Sequence, residues 1–325
     1  MEVRRSVGFP IACADPSRDK GRYFQGLLWR LELSSYIITI GTVITLYAMA
    51  ACGLNVIIGY AGQVSLGHAA FVGIGAYTAA LLATKAGFSF FLSLPIVLVV
   101  SATFGLLLGL PSLRVREDFL AITTIGINFI VEAMFNYVPF FGGALGIGGI
   151  PPILLFGSKM KGLGFFYLCL FFLLIVLFVC WWFSRSWAGL ACFALREEES
   201  AASSMGISPV RFKLLAFVVG TCIAGLSGAL SAHYITFISA GDFSFPFSIH
   251  LLCMVVIGGM GTLWGPVLGA LILGALPEIF RPIVDYRILF YTLLLLLMIR
   301  FQPGGLLGES MMVRRMMNKI SLRVK

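Results

Sequence analysis

Apolar residues gather in eight runs along the chain, at about 36–58, 63–84, 90–110, 119–137, 165–183, 212–236, 247–276 and 286–300. Several reach the roughly 20 residues that a helix needs to cross about 30 Å of hydrocarbon. The short alternating segments of a membrane β-barrel do not occur. The pattern predicts an all-α polytopic membrane protein of about eight apolar segments. It divides the chain into an N-terminal segment (1–35), a membrane domain (36–308) and a basic C-terminal tail (309–325).

The polar connections set an orientation. Arg4, Arg5, Arg18, Lys20, Arg22 and Arg30 precede the first run, and Arg314, Arg315, Lys319, Arg323 and Lys325 follow the last. Basic flanks mark the cytoplasmic side. Both termini are therefore expected inside, with the connector "PSLRVRED" (111–118) and the polar insertion 184–211. The Gly- and Pro-rich stretch 138–164 is expected outside. The first thirty-odd residues are too polar for a cleaved signal peptide.

This placement carries an arithmetic demand. Three runs separate the N-terminus from 111–118, and three separate 184–211 from the C-terminus, where even numbers of crossings are required. One run in each set is expected to be broken or re-entrant. In the first half the candidate is "GYAGQVSLGHAAFVGIGAY" (59–77), where five glycines accompany Gln63, Ser65 and His68. In the second it is "VIGGMGTLWGPVLGALILG" (256–274), with Gly258, Gly259 and Gly261. Interrupted runs in corresponding positions point to a two-half internal repeat and to a substrate pathway. No residue-by-residue repeat is visible.

Composition narrows the chemistry. The chain is 59% hydrophobic and 11% charged, with a mean hydropathy of +1.00, more apolar surface than a soluble domain can hide. The net charge of +9 lies largely at the ends of the chain, so no nucleic-acid partner is expected. None of the seven cysteines forms a C-x-x-C pair; Cys52, Cys169, Cys180, Cys222 and Cys253 read as small packing residues. His68, His233 and His250 lack ligand spacing, so no metal site is expected. Without a G-K dipeptide the chain has no phosphate loop and binds no nucleotide of its own. Ser65 and His68 share a helix face but lack an orienting third residue, which argues against an enzyme. Asn128, Glu132 and Asn136 form one polar stripe at i, i+4 and i+8. An acid within a span is a candidate for ion coupling, so Glu132 carries the alternative of an ion-coupled secondary transporter.

Two further patterns concern packing and docking. Gly220, Ala224, Gly228 and Ala232 recur every four residues beside Thr221, Gly225, Ala229 and His233, predicting a close helix seam within the protein or with a partner. Gly265 with Gly269, and Ala270 with Gly274, repeat the device. In 184–211 a short helix is predicted from Ala194 to Met205, with Glu197, Glu198 and Glu199 in its first turn. Gly206 is its stop and Pro209 follows. Ala201, Ala202 and Met205 would then form a small apolar face open to a partner.

These residues carry a resemblance. "REEESAASSMGI" (196–207) and "RFKLLAF" (211–217) resemble the cytoplasmic coupling loop of branched-chain amino acid ABC importer permeases. The likeness continues through "AGLSGALSAHYITFISAGDFSF" (224–245), "MVVIGGMGTLWGPVLGA" (254–270) and "FQPGGLLG" (301–308). "NVIIGYAGQVSLGHAAFVGIGAYTAALL" (55–82) and "LPSLRVREDFLAITT" (110–124) are similar to the same family, so the likeness covers about residues 50–308 and is nearest the M-type permease. It implies a multi-pass permease of a bacterial inner membrane that carries leucine, isoleucine and valine; related permeases carry urea and short amides. It also implies a second homologous permease, two cytoplasmic ATPase subunits that hold the ATP and magnesium, and a periplasmic substrate-binding protein. No cofactor is implied on this chain. Arg196, Glu197, Glu198, Glu199, Ala201, Ala202, Met205 and Gly206 match the coupling loop. Ser203 and Ser204 depart from it, standing where relatives commonly have Glu and a small residue.

Overall fold

Ten helices carry the described part of the chain, which in this computed structural model comprises residues 16–112, 117–155, 158–279 and 304–308, with positions 293, 296, 297 and 300. They are α1 (Pro16–Asn55), α2 (His68–Thr84), α3 (Phe90–Ser112), α4 (Glu117–Tyr137), α5 (Leu163–Arg185), α6 (Trp187–Glu197), α7 (Glu199–Ser204), α8 (Pro209–Ile235), α9 (Phe245–Gly258) and α10 (Gly265–Ile279). Among the described residues six helices are long and apolar enough to cross a membrane. They are Ser35–Tyr60, Phe90–Leu110, Phe119–Tyr137, Leu163–Arg185, Pro209–Ile235 and Ala240–Gly258. Shorter apolar helices at His68–Thr84 and Gly265–Leu276 accompany them. Two short antiparallel strands, Ile147–Gly148 and Phe237–Ile238, tie the 138–162 connection to the chain leaving α8.

The bundle is organised around α8. Gly220 of α8 faces Gly53 of α1, and a Cβ on either would stand 2.6 Å from the other's carbonyl oxygen. A Cβ on Gly75 of α2 would overlap the backbone of Gly225, and one on Gly228 would overlap the carbonyl of Val72. On the α3 side, Gly105 leaves room for Thr221 and Gly109 for Phe217. Lipid offers no hydrophobic drive to join helices, so close backbone approach and dispersion contact have to supply it. The small-residue face along α8 is thus a seam within this chain, shared by α1, α2 and α3. Gly269, which backs onto the carbonyl of Met254, joins α10 to α9 in the same way, while Gly274 meets Ile44 of α1. On the outside of α5, Tyr167, Phe171, Leu174, Phe178 and Trp182 are all exposed. These large apolar side chains repeat at helical spacing and form a face suited to lipid.

Helix directions correct the parity argument. α1 runs the same way as α5: Gly41 lies against Phe166 near the start of α5, while Gly59 receives a hydrogen bond from Arg196 beyond its end. The first apolar run therefore starts at the end of the bundle opposite the 184–211 connection. From there α1, α2 and α3 alternate in direction, and the 59–77 stretch is a broken helix junction rather than a re-entrant one. The 247–276 run is also not one broken span. It is two helices, α9 and α10, joined by a reverse turn in which Gly259 and Gly261 take φ of +123° and +80°. Positive φ is open to glycine without a Cβ penalty, and here it turns the chain back on itself. The chain has returned to the end carrying 184–211 by residue 306, where Leu306 donates its N–H to the carbonyl of Ile257 (2.8 Å). Most of the 286–300 run, and the 1–15 and 309–325 segments, lie outside the described residues.

Gly228→Ala would force a methyl onto the Val72 carbonyl, and overpacking of this kind costs about 1–3 kcal/mol. Gly126→Ala in α4 meets nothing within 4 Å, and replacing a helical glycine gains about 0.5–1 kcal/mol. Thermal unfolding in detergent is expected to show a lowered midpoint for the first variant and an unchanged or raised one for the second.

Candidate functional site at the glycine breaks

The first break begins where α1 passes into a single π-helical turn, Val56–Tyr60. Such turns are rare and frequently mark functional positions. Residues 61–67 then leave the helix, with Ala61, Gln63, Ser65 and Gly67 buried and Gly62 and Val64 exposed. Some of their backbone bonds are local: Gly62 donates to Ile58 (3.2 Å) and Gln63 to Ile57 (3.1 Å). Others come from neighbouring helices. Thr124 Oγ1 accepts from the Leu66 N–H (3.0 Å), and Ser248 Oγ accepts from the Ala69 N–H (2.9 Å). Ser248 in turn donates to Asn128 Oδ1, whose amide reaches the Phe243 carbonyl, both at 3.5 Å.

The broken backbone is thus served by Thr124 and Ser248 and not by the polar side chains within the break. Gln63, Ser65 and His68 are 3%, 1% and 0% exposed, and their side-chain atoms make no hydrogen bond among the described residues. The His68 ring faces the backbone of Ala50 without a hydrogen bond of good geometry. Burying a polar group without a partner is costly, so these side chains line the part of the bundle with most unmet polar demand. Asn128 is buried, while Glu132 and Asn136 continue its stripe half-buried along α4. Beyond them Tyr77 stacks on Phe135 (3.9 Å), with Phe141 and Phe243 at 6.0 and 6.2 Å. His233 lies elsewhere, its Nδ1 2.8 Å from the Pro151 carbonyl, and His250 packs by Tyr47.

The second break, the α9–α10 turn, meets the first. Asn55 Oδ1 accepts from the Gly261 N–H and its amide donates to the Thr262 carbonyl, each at 2.9 Å. One side chain at the end of α1 therefore closes a bidentate pair on the opposite turn. The far side of the turn is held by 304–308, where Leu307 donates to the Gly258 carbonyl (3.0 Å). Gly258 itself allows the turn to close, since a Cβ there would overlap Gly265.

The 184–211 connection reaches the same point. It holds two helices, where one from Ala194 to Met205 is predicted. Ser186 caps α6 by accepting from the Gly189 N–H (3.2 Å). The chain then kinks at Glu198, whose φ and ψ are −156° and 105°. Glu197 therefore ends α6, Glu198 lies between the helices, and only Glu199 stands in the first turn of α7. Gly206 terminates α7 as expected, with φ +86°. Gly206 donates to Ser203 (3.0 Å) and Ile207 to Ala202 (3.1 Å), the bond pair of a Schellman end. The expected three-residue apolar face divides: Ala202 is 6% exposed and packs inward, whereas Ala201 is exposed and Met205 is 84% exposed. Glu199 pairs with Lys213, a buried lysine in the first turns of α8, at 2.6 Å. Arg196 donates through Nη1 to the carbonyl of Gly59.

Asn55, Thr124, Lys213 and Ser248 were not singled out in the sequence. The readable signal for Asn55, Lys213 and Ser248 was a polar or charged side chain inside a run counted as apolar.

A family model described as the permease component of the branched-chain amino acid transport system matches residues 36–301. The chain is 37% identical over 304 residues to the high-affinity branched-chain amino acid transport system permease protein LivM of Escherichia coli, covering 86% of this chain and 72% of the relative. It is 26% identical over 329 residues to a probable LivM of Methanocaldococcus jannaschii, covering 84% of this chain and 94% of that one. It is also 30% identical over 123 residues to the permease LivH of Escherichia coli, covering 37% of this chain and 40% of the relative. No solved structure matches the chain.

Two outcomes follow from the geometry of the connection. Glu199→Gln takes the Glu199 carboxylate away from the buried Lys213 ammonium, at a cost of about 1–3 kcal/mol. Glu198→Gln, on an exposed residue, changes stability by less than about 0.5 kcal/mol. Melting midpoints of the two purified variants separate them. Burial pushes the Cys192 thiol on α6 up to about 12, so it carries almost no thiolate at pH 8. Mass spectrometry after maleimide treatment at pH 8 should find Cys192 unmodified in the folded chain and modified after denaturation.

Proposed function

The chain belongs to the family of permease components of branched-chain amino acid transport systems, and from that premise we propose that it is the M-type membrane subunit of an ATP-driven importer. Its cargo in this reading is leucine, isoleucine and valine. The observation that carries the reading is the α6–α7 element. A chain without a phosphate loop presents, at one end of its bundle, a pair of short helices with Ala201 and Met205 turned outward. That element is anchored on its other side to the first glycine break through Arg196, which also lies against Gly261 of the second. An exposed methionine beside a small residue offers an adaptable apolar contact for a partner. A helix so anchored is suited to receive the motion of a separate ATPase.

Similarity to both LivM and LivH supports a second, homologous permease as the other half of the membrane assembly. Two ATPase subunits, holding ATP and magnesium, would dock on α6 and α7, which places 184–211 and 304–308 on the cytoplasmic side of a bacterial inner membrane. The opposite end, with 138–162 and the turn after α8, would face the substrate-binding protein. In this arrangement the unmet polar side chains Gln63, Ser65 and His68 and the Asn128–Glu132 stripe border the route of the amino acid. Transport then requires the seams of α8 to take two packings, each favoured by a different nucleotide state of the partner.

The test is co-purification from detergent of this chain with its second permease and ATPases, followed by ATP-dependent leucine uptake in vesicles carrying the binding protein. Wild type should retain the ATPases. Met205→Glu and Gly206→Pro should each lose them by about tenfold or more in affinity, the loss of a central interface contact. Leucine uptake by this chain without ATPases, or wild-type assembly and uptake by both variants, would remove the importer reading.

A further inference from the structure

Arg196 is the place where the connection and the two glycine breaks come together. Its guanidinium donates to the carbonyl of Gly59, within the π turn of the first break. Its stem lies over Gly62, where a Cβ would stand 3.1 Å from Arg196 Cγ and 3.3 Å from its Cα. On the second break, a Cβ on Gly261 would come within 2.5 Å of Arg196 Nη1. The arginine, exposed over part of its surface, therefore lies between Gly62 of the first break and Gly261 of the second. Asn55 ties the two breaks to each other through Gly261 and Thr262.

The rest of the connection is fixed so that this contact is sensitive to its movement. Arg196 stands in the last turn of α6, two residues before the kink at Glu198. Beyond the kink, α7 is held to α8 by the Glu199–Lys213 pair. A displacement of α6 and α7 relative to the bundle has to pull on, or release, the Gly59 carbonyl. That carbonyl belongs to a turn already outside regular α geometry.

We infer that Arg196 is a positioning residue that transmits movement of α6 and α7 to both glycine breaks at once. The inference rests on the importer reading and adds the residue through which ATPase motion reaches the membrane helices. The docking face for the ATPase is Ala201 and Met205; Arg196 acts on the other side of the same element.

The experiment uses the full assembly of both permeases, ATPases and binding protein in vesicles, with Arg196→Met and Arg196→Lys on this chain. Methionine keeps a stem over Gly62 and deletes the donor, and lysine restores one charged donor. Leucine taken up per ATP hydrolysed is measured beside ATPase retention and the melting midpoint. Arg196→Met should keep the ATPases and lose about tenfold in uptake per ATP, within the 5–150-fold range of coupling between sites. Arg196→Lys should recover at least half of the wild-type ratio. A wild-type ratio in Arg196→Met overturns the inference, and so does loss of the ATPases from that variant with an unchanged melting midpoint. Failure of the wild-type chain to hold ATPases would instead overturn the importer reading, and this inference with it.

Discussion

A backbone that leaves the helix within a bilayer has to find its hydrogen bonds inside the protein. That constraint organises this structure more than any single packing contact. At the first break it recruits Thr124 from α4 and Ser248 from α9. At the second it recruits Asn55 from α1 and the 304–308 segment. Arg196 completes the set from outside the bundle. Regions far apart in sequence are thus obliged to meet where helices are interrupted.

The glycine seams of α8 do complementary work. They bring α1, α2 and α3 against one central helix so closely that backbone touches backbone. Smooth seams hold helices together without interlocking side chains. The junction at the breaks, by contrast, is built from directed polar bonds. A bundle joined by the first and pinned by the second concentrates its specific resistance to movement at one end, the end that carries α6 and α7.

Much of this was legible in the sequence, because apolar runs report lipid exposure directly. The helix seam, the Gly206 stop and the two breaks could also be read from spacing. The 247–276 hairpin could not. Its turn residues Gly258, Gly259 and Gly261 are interleaved with Met260, Leu263 and Trp264, so the hydropathy never falls. The parity demand does not hold, because basic residues before the first run do not fix the end of the bundle from which α1 starts. The kink at Glu198 left no mark, since three consecutive glutamates suit one helix start as well as the end of another. The Arg196–Gly59 and Asn55–Gly261 contacts span 137 and 206 residues. One sequence carries no record of such pairings.

The α9–α10 hairpin bears on how the chain is made. Its two legs are joined only by residues 259–264, so α10 leaves the ribosome directly behind α9. Glycines at 258, 265 and 269 let the two legs touch along their backbones, so the pair can form on its own contacts as soon as both legs have emerged. The unit handed to the membrane during synthesis is then the hairpin, with its final polar bonds waiting for α1, already in place from the first part of translation.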